Sequence, residues 1–261
     1  MMKKILYITL IFAFIFSLFP LRVDAVSLTY LGTASDATNL ITYTFASQGL
    51  GTPASDRQII VLASGFTGPT SKTISSITVA GVSATININT NGDYGYEGLG
   101  IGIADVPTGT TGDVVVVFSG AMNSADIHLY RATGLSKTAH DTDSNTGAPP
   151  SVNLSVPDNG VAVSISHNRG GTASWTGLTE GDDITDSQGY NESVASASGL
   201  STSTLTITAT WDPDSSSQLI AASFSPSSTT SIKSVNETLY TSLVSFSGIL
   251  KALIKSINGV Q

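Results

Sequence analysis

Along most of the chain, apolar and polar residues alternate with a period of two. In "VSATININT", Val82, Ala84, Ile86 and Ile88 alternate with Ser83, Thr85, Asn87 and Asn89. The stretch reads as a strand with one dry face and one wet. "TLTITATW" repeats the pattern, with Leu205, Ile207, Ala209 and Trp211 set against Thr204, Thr206, Thr208 and Thr210. "SVNLSVPDNGVAVSISHN" predicts a hairpin: Val152, Leu154 and Val156 run out, Pro157 to Gly160 turn, and Val161, Val163 and Ile165 return. "IIVLA" (59–63) and "VVVVF" (114–118) are apolar on both sides, as central strands covered on both faces are. Turns rich in Gly, Ser and Pro, such as "GLGTPASD" and "SNTGAPPS", separate the runs, and no amphipathic helix precedes residue 226. The expected fold is all-β: an antiparallel β-sandwich of jelly-roll type over residues 26–226. Two immunoglobulin-like domains meeting near 138–150 form the alternative, although the two halves share no visible sequence similarity.

The two ends follow other patterns. Lys3 and Lys4 precede a fifteen-residue apolar run (5–19), and a polar stretch then ends in Val23-Asp24-Ala25. This reads as a cleaved secretory signal over 1–25, since a membrane span needs about 20 apolar residues, with an uncleaved N-terminal anchor as the alternative. After a polar linker at 227–231, the apolar positions are Ile232, Val235, Leu239, Leu243, Phe246, Leu250, Ile254 and Ile257. Their steps of three, four and four repeat every eleven residues, which predicts a helical stripe over 232–261 of about 3.67 residues per turn. Gly248 and Ala252 would let two such helices approach closely, and Asn258-Gly259 suits a left-handed cap; a strand turning at Asn258-Gly259 is the alternative. So apolar a stripe on a short tail has to pack on the body, on a membrane surface or on copies of itself. Self-association, as a homo-oligomer such as a trimer, is the expectation.

Composition narrows the class of partner. Removing residues 1–25 takes the count from 11 to 8 basic and from 19 to 18 acidic residues, a formal charge of −10. Such a surface repels phosphate backbones, so nucleic acid is excluded as a partner. The chain has no cysteine. An exported protein of this kind must hold together by its core alone, secreted or at the cell surface.

Candidate chemistry is thin. His128 shares a strand face with Asp126 and Tyr130, but no G-x-S-x-G elbow accompanies it, and a plain polar strand face is the expected role. His140 and His167 fall in or beside turns without ligand spacing. Of the four glutamates, Glu97, Glu180, Glu192 and Glu237, the first two are the candidates for a glycoside hydrolase pair, and only if folding brings them together. In "HDTDSNTGAPP", Asp141, Asp143 and Asn145 alternate as calcium ligands do, yet Thr146 stands where an EF-hand loop needs Gly and Val152 where it needs Glu. An irregular calcium site and a solvated turn are the readings left. "GLGIGIAD" fails as a nucleotide loop at Ile103. Tyr94, Tyr96 and Trp175 are candidates to stack on sugar rings, with a core role for Trp175 as the alternative. Reactive side chains are thus expected to be dispersed, with no catalytic set.

At "SDRQIIV", "ISSITVAGVSAT", "VPTGTTGDVVVVFSG" and "YRATG" the chain resembles a family of β-rich proteins from tailed phages and environmental bacteria, often treated as virion- or tail-associated. Members end in short repeats similar to "SIKSVNE" and "LIKSINGV" here. The resemblance covers most of residues 27–225 and implies no catalytic or binding residues. Joined to the signal at 1–25, it implies a cell-surface or released protein built from the same module. The combined expectation is a secreted, non-catalytic protein of adhesion or assembly that binds glycan. A polysaccharide hydrolase and a calcium-dependent lectin-like module are the rivals.

Overall fold

The computed structural model describes residues 26–227 apart from 69, 71, 92–96, 187–188, 202 and 214–216, and no helix occurs among them. The signal segment, linker residues 228–231 and the repeat tail lie outside the described residues. The first half of the body forms β1 (Ser27–Asp36), β2 (Leu40–Gly49), β3 (Arg57–Phe66), β4 (Ile74–Val79), β5 (Val82–Ser83), β6 (Thr85–Thr90), β7 (Glu97–Asp105), β8 (Thr111–Met122) and β9 (Ser124–Thr133). The second half forms β10 (Asp141–Gly147), β11 (Ser151–Val156), β12 (Gly160–Asn168), β13 (Thr172–Thr176), β14 (Thr179–Thr185), β15 (Asn191–Leu200), β16 (Ser203–Asp212) and β17 (Ser217–Phe224).

These strands build four antiparallel sheets. The first half gives an outer sheet, β2-β8-β4-β5, and an inner sheet, β1-β9-β3-β7-β6. The second half gives an inner sheet, β10-β17-β12-β15-β14, and an outer sheet, β11-β16-β13. If the two-residue β5 is set aside, each half has eight strands in the same arrangement. The inner order is first, eighth, third, sixth, fifth; the outer order is second, seventh, fourth. The sequence halves look unrelated, but their topology is duplicated.

Three apolar layers fill the spaces between the sheets. Ile59, Val61, Ile127 and Leu129 of the first inner sheet meet Tyr43, Val116 and Phe118 of the outer one. Ile60, Leu62, Leu99 and Ile101 meet Val163, Ile165, Val194 and Ile220 across the middle layer. Ala162, Ala195 and Leu219 meet Val152, Leu154 and Ile207 in the third. Both inner sheets are therefore dry on both faces, which is why "IIVLA" on β3 shows no alternation. Opposite ends of β3 are polar. At its start the buried Arg57 guanidinium donates to the carbonyls of Gly51 at 2.9 Å and Thr108 at 2.6 Å, with Leu50 and Val106 completing its set.

Three local expectations need correction. "VVVVF" lies in β8 of an outer sheet: Val114, Val116 and Phe118 are buried, while Val115 and Val117 are half-exposed. β-branching, not double coverage, explains that run. β11 and β12 do not form a hairpin, because β11 pairs with β16 and β12 with β15 and β17. The turn is real, with Asn159 at φ 57° and Gly160 N–H donating to the Pro157 carbonyl, but it carries the chain from one sheet to the next. "VSATININT" breaks at Ala84, and a bulge falls between Ile86 and Ile88. Ile86 thus packs on the first layer and Ile88 on the middle one. The bulged Asn87 accepts from Ala139 N–H at 2.7 Å and donates to the Lys137 carbonyl at 3.1 Å. With Gln58, which bonds both backbone groups of Leu135, it pins the segment that joins the halves.

The glycine-rich "EGLGIGIAD" has a packing role. Leu99, Ile101 and Ile103 fill the middle layer, while Gly100 and Gly102 turn toward β4. A Cβ on Gly100 would lie 2.7 Å from Ile74 Cδ1, and one on Gly102 would lie 3.0 Å from Ile77 Cδ1. Bare backbone is what lets those isoleucines seat. Gly100→Ala is expected to lower unfolding free energy by about 1–3 kcal/mol in urea titrations. Gly49→Ala, where a Cβ would meet nothing within 4 Å, should shift it far less.

Candidate functional site: a buried acid–base joint

The middle layer is apolar over most of its extent but turns polar where β3 and β12 end and β7, β9 and β15 begin. Here strand periodicity carries ionisable side chains inward. On β12 the stripe Val161, Val163, Ile165 continues into His167; on β9, Ala132 and Tyr130 continue into His128 and Asp126. On β15 Glu192 precedes Val194 on the same face. Asp126, His128, His167 and Glu192 are exposed by 2, 0, 2 and 1 %, so these groups face one another and not water.

The contacts cross between the halves reciprocally. Glu97, on the sixth strand of the first half, lies 2.9 Å from His167 Nδ1 on the third strand of the second. Glu192, on the sixth strand of the second half, accepts a short hydrogen bond from Ser64 on the third strand of the first. Its other oxygen lies 3.6 Å from His128 Nε2. Gln218 adds a further cross-link by donating to Thr90 Oγ1 at 2.9 Å. A chain of contacts leads outward from Glu192. The Tyr30 hydroxyl donates to Asp182 Oδ2 at 2.8 Å, so its oxygen is left to accept from His128 Nδ1 at 3.1 Å. Asp182 is half-exposed.

A small cap covers the polar end. Asp186 accepts from Tyr190 N–H at 2.8 Å and from the Ser124 hydroxyl at 3.3 Å, and so ties Tyr190 to the start of β9. The Tyr190 ring stacks on His167 at 5.2 Å between centroids and packs tilted by 30° against Phe66 at 4.2 Å. The Arg169 guanidinium lies 5.6 Å from the centre of the Tyr190 ring.

Crowded acids and poor solvation shift the proton affinities. Burial, then the charges of Glu192 and Asp186, push the Asp126 carboxyl up to about 8, and its Oδ1 has no hydrogen-bond partner. Burial alone would lower His167, but Glu97, Glu192 and Asp186 outweigh it and raise the imidazole to about 9. Burial would raise Glu192, yet His128, His167 and Ser64 hold it below the usual carboxylate range. Burial and the bond to Asp182 raise Tyr30. At neutral pH the joint therefore holds an imidazolium at His167, a protonated Asp126 and an ionised Glu192. An expectation of dispersed reactive groups does not hold here: strand ends gather them.

No family model matches the chain, and no curated protein matches it. Among solved structures, it is similar to a conserved protein of unknown function from Pseudomonas aeruginosa, with 11% identity and a TM-score of 0.28, covering 78% of this chain and 91% of that one. It is also similar to the major capsid protein P2 of bacteriophage PM2, with 8% identity and a TM-score of 0.23, covering 78% and 99%.

The residues singled out from sequence fall elsewhere. Asp141 and Asp143 on β10 spend their carboxylates on backbone N–H groups: Asp141 on Thr142 and Ser155, Asp143 on Ser144 and Asn153. They seal the corner between β10 and β11, and Asn145 is exposed beyond them. Among the described residues, no group of three or more His, Asp or Glu side chains is arranged to hold a metal ion. Trp175 is half-buried against the third layer and donates from Nε1 to Ser193 Oγ at 2.7 Å. Tyr94, Tyr96 and all eight tail positions from Ile232 to Ile257 lie outside the described residues. Glu97 joins His167, whereas Glu180 is exposed on β14. Sequence reading passed over Glu192 and Ser64, set His167 beside a turn where it is a buried residue of β12, and gave His128 a plain polar strand face where it is buried in the middle layer. The available signal was a charged residue continuing an inward apolar stripe at a strand end.

His167 binds its proton more tightly folded than unfolded, so its share of stability is full below about 6.5, the ordinary histidine value, and is lost as pH rises through about 9. Imidazole NMR should show His167 still protonated at pH 7.5. In Glu97→Gln it should titrate at clearly lower pH; an unchanged titration would remove Glu97 as its stabilising partner.

Proposed function

We propose that the protein is a secreted or cell-surface, non-catalytic β-sandwich protein of adhesion or assembly. Residues 1–25 act as its signal, and its body is a tandem of two jelly-roll sandwiches. The strand order 1-8-3-6 facing 2-7-4 in each half supports that assignment. One observation carries the non-catalytic reading. The ionisable groups that fold together are spent on one another across a sealed joint, with Glu97 and Glu192 each paired to the opposite half. A glycoside hydrolase would instead present two carboxylates to a cleft, and the exposed Glu180 shares no setting with Glu97.

The outer face supports a glycan as ligand. On β16 Thr204, Thr206 and Thr210 are exposed and Thr208 half-exposed, and β11 sets Ser151 and Asn153 beside Thr208 and Thr206. Thr206 donates to Asn153 Oδ1 at 2.7 Å. An uncharged array of hydroxyls and amides suits a neutral polysaccharide. The tail residues from Ile232 to Ile257 then multiply weak single contacts by self-association.

Two measurements test this reading. A chain ending at Pro226 should have a smaller oligomeric mass by light scattering than the full chain; equal masses would remove the tail as the association element. The full chain should bind neutral glycans on an array equally with and without calcium, and Thr206→Lys should abolish the signal. Binding only with calcium would favour the lectin-like alternative, and cleavage of an arrayed glycan would favour a hydrolase.

A further inference from the structure

The joint between the two inner sheets is built unevenly. Ile60, Leu62, Val163, Ile165 and Ile220 hold most of it by contact that no change of pH alters. Its other end rests on Glu97 against His167 and Glu192 against Ser64 and His128, and each of these contacts crosses between the halves. We propose that this polar end is a proton-operated clasp, shut while Asp126 and His167 hold their protons and opened by hinging about the apolar end when they lose them.

The charges that surround the two groups give the direction. His167 is faced by Glu97 from β7, Glu192 from β15, Asp186 from the 186–190 loop and Asp126 from β9. Asp126 is faced by Glu192 and Asp186, and a hydrogen bond from Ser35 on β1 opposes them only in part. The remaining titratable neighbours are His128 and Tyr130 on β9, Tyr30 on β1, Asp182 on β14 and the capping Tyr190. Arg169 lies over the outer Tyr190 ring. Loss of both protons removes the one positive charge at His167 and adds a negative charge at Asp126, in a volume that already holds three other carboxylates. Sealed side chains cannot solvate that charge, and the shortest relief is entry of water at the polar end.

From half-exposed β14 the hydrogen bonds Asp182–Tyr30 at 2.8 Å and Tyr30–His128 at 3.1 Å lead inward, and a gap of 3.6 Å, beyond hydrogen-bond reach, separates His128 from Glu192. The cap lies where an opening would begin, since Tyr190 stacks on the very imidazole that loses its charge. Neither group sits at an outer sheet, so those sheets keep their pairing when the clasp opens.

Hydrogen exchange of the full chain between pH 6 and 9.5, corrected for intrinsic rates, tests this. Protection in 124–130, 162–168 and 190–194 should fall, with an opening constant that rises about tenfold per pH unit for each proton lost. β8 and β16 should keep their protection through the same range. Asp126→Asn, which cannot ionise, should stay shut to higher pH. Equal loss of protection in all four sheets, or opening of Asp126→Asn at the wild-type pH, would overturn the proposal.

Discussion

Both inner sheets are covered on both faces, and most of the architecture follows from that requirement. A sheet of this kind has no solvent side on which to place a charge, so any polar group carried inward must find its partner within the protein. The chain meets the constraint by matching one half against the other. At the start of β3 Arg57 is saturated by backbone carbonyls, and at its end Ser64 meets Glu192. Between these ends the middle layer is apolar throughout.

Duplicated topology makes the matching reciprocal. Because the two halves present equivalent inner sheets, the sixth strand of each can reach the third strand of the other, and each does so with a glutamate. The arrangement has the logic of a self-complementary interface, in which one surface contacts another copy of itself. Here the two sheets lie on one chain and differ in side chains: His167 receives one glutamate, and Ser64 with His128 receives the other. The joint thus concentrates acids and imidazoles, and the balance among them sets how many protons it retains.

Much of the fold was legible as alternation, and the misreadings share a cause. The period of two reports which residues share a face, not which sheet that face meets. β11 and β12 carry a sound turn between them yet enter different sheets, and Ile86 and Ile88 reach different layers because Asn87 bulges. "VVVVF" looked doubly covered because valine favours any pleated strand, exposed or not. For the site the gap was wider. Glu192 and His167 announce themselves only as interruptions at the ends of apolar stripes, and their partners are supplied by the other half of the chain. Asp141 and Asp143 did alternate as ligands would, but the same spacing serves a strand edge whose N–H groups need acceptors.

The claim most exposed to test is that reciprocal contacts across the joint hold the halves together. A double-mutant cycle on Glu97→Gln and His167→Gln, measured by unfolding free energy at pH 7 in the full chain, reads one of them directly. A contact between buried charged partners should give a coupling between about 0.5 and 3 kcal/mol. Changes that simply add, to within about 0.5 kcal/mol, would mean that the two side chains do not act on each other and would contradict the account.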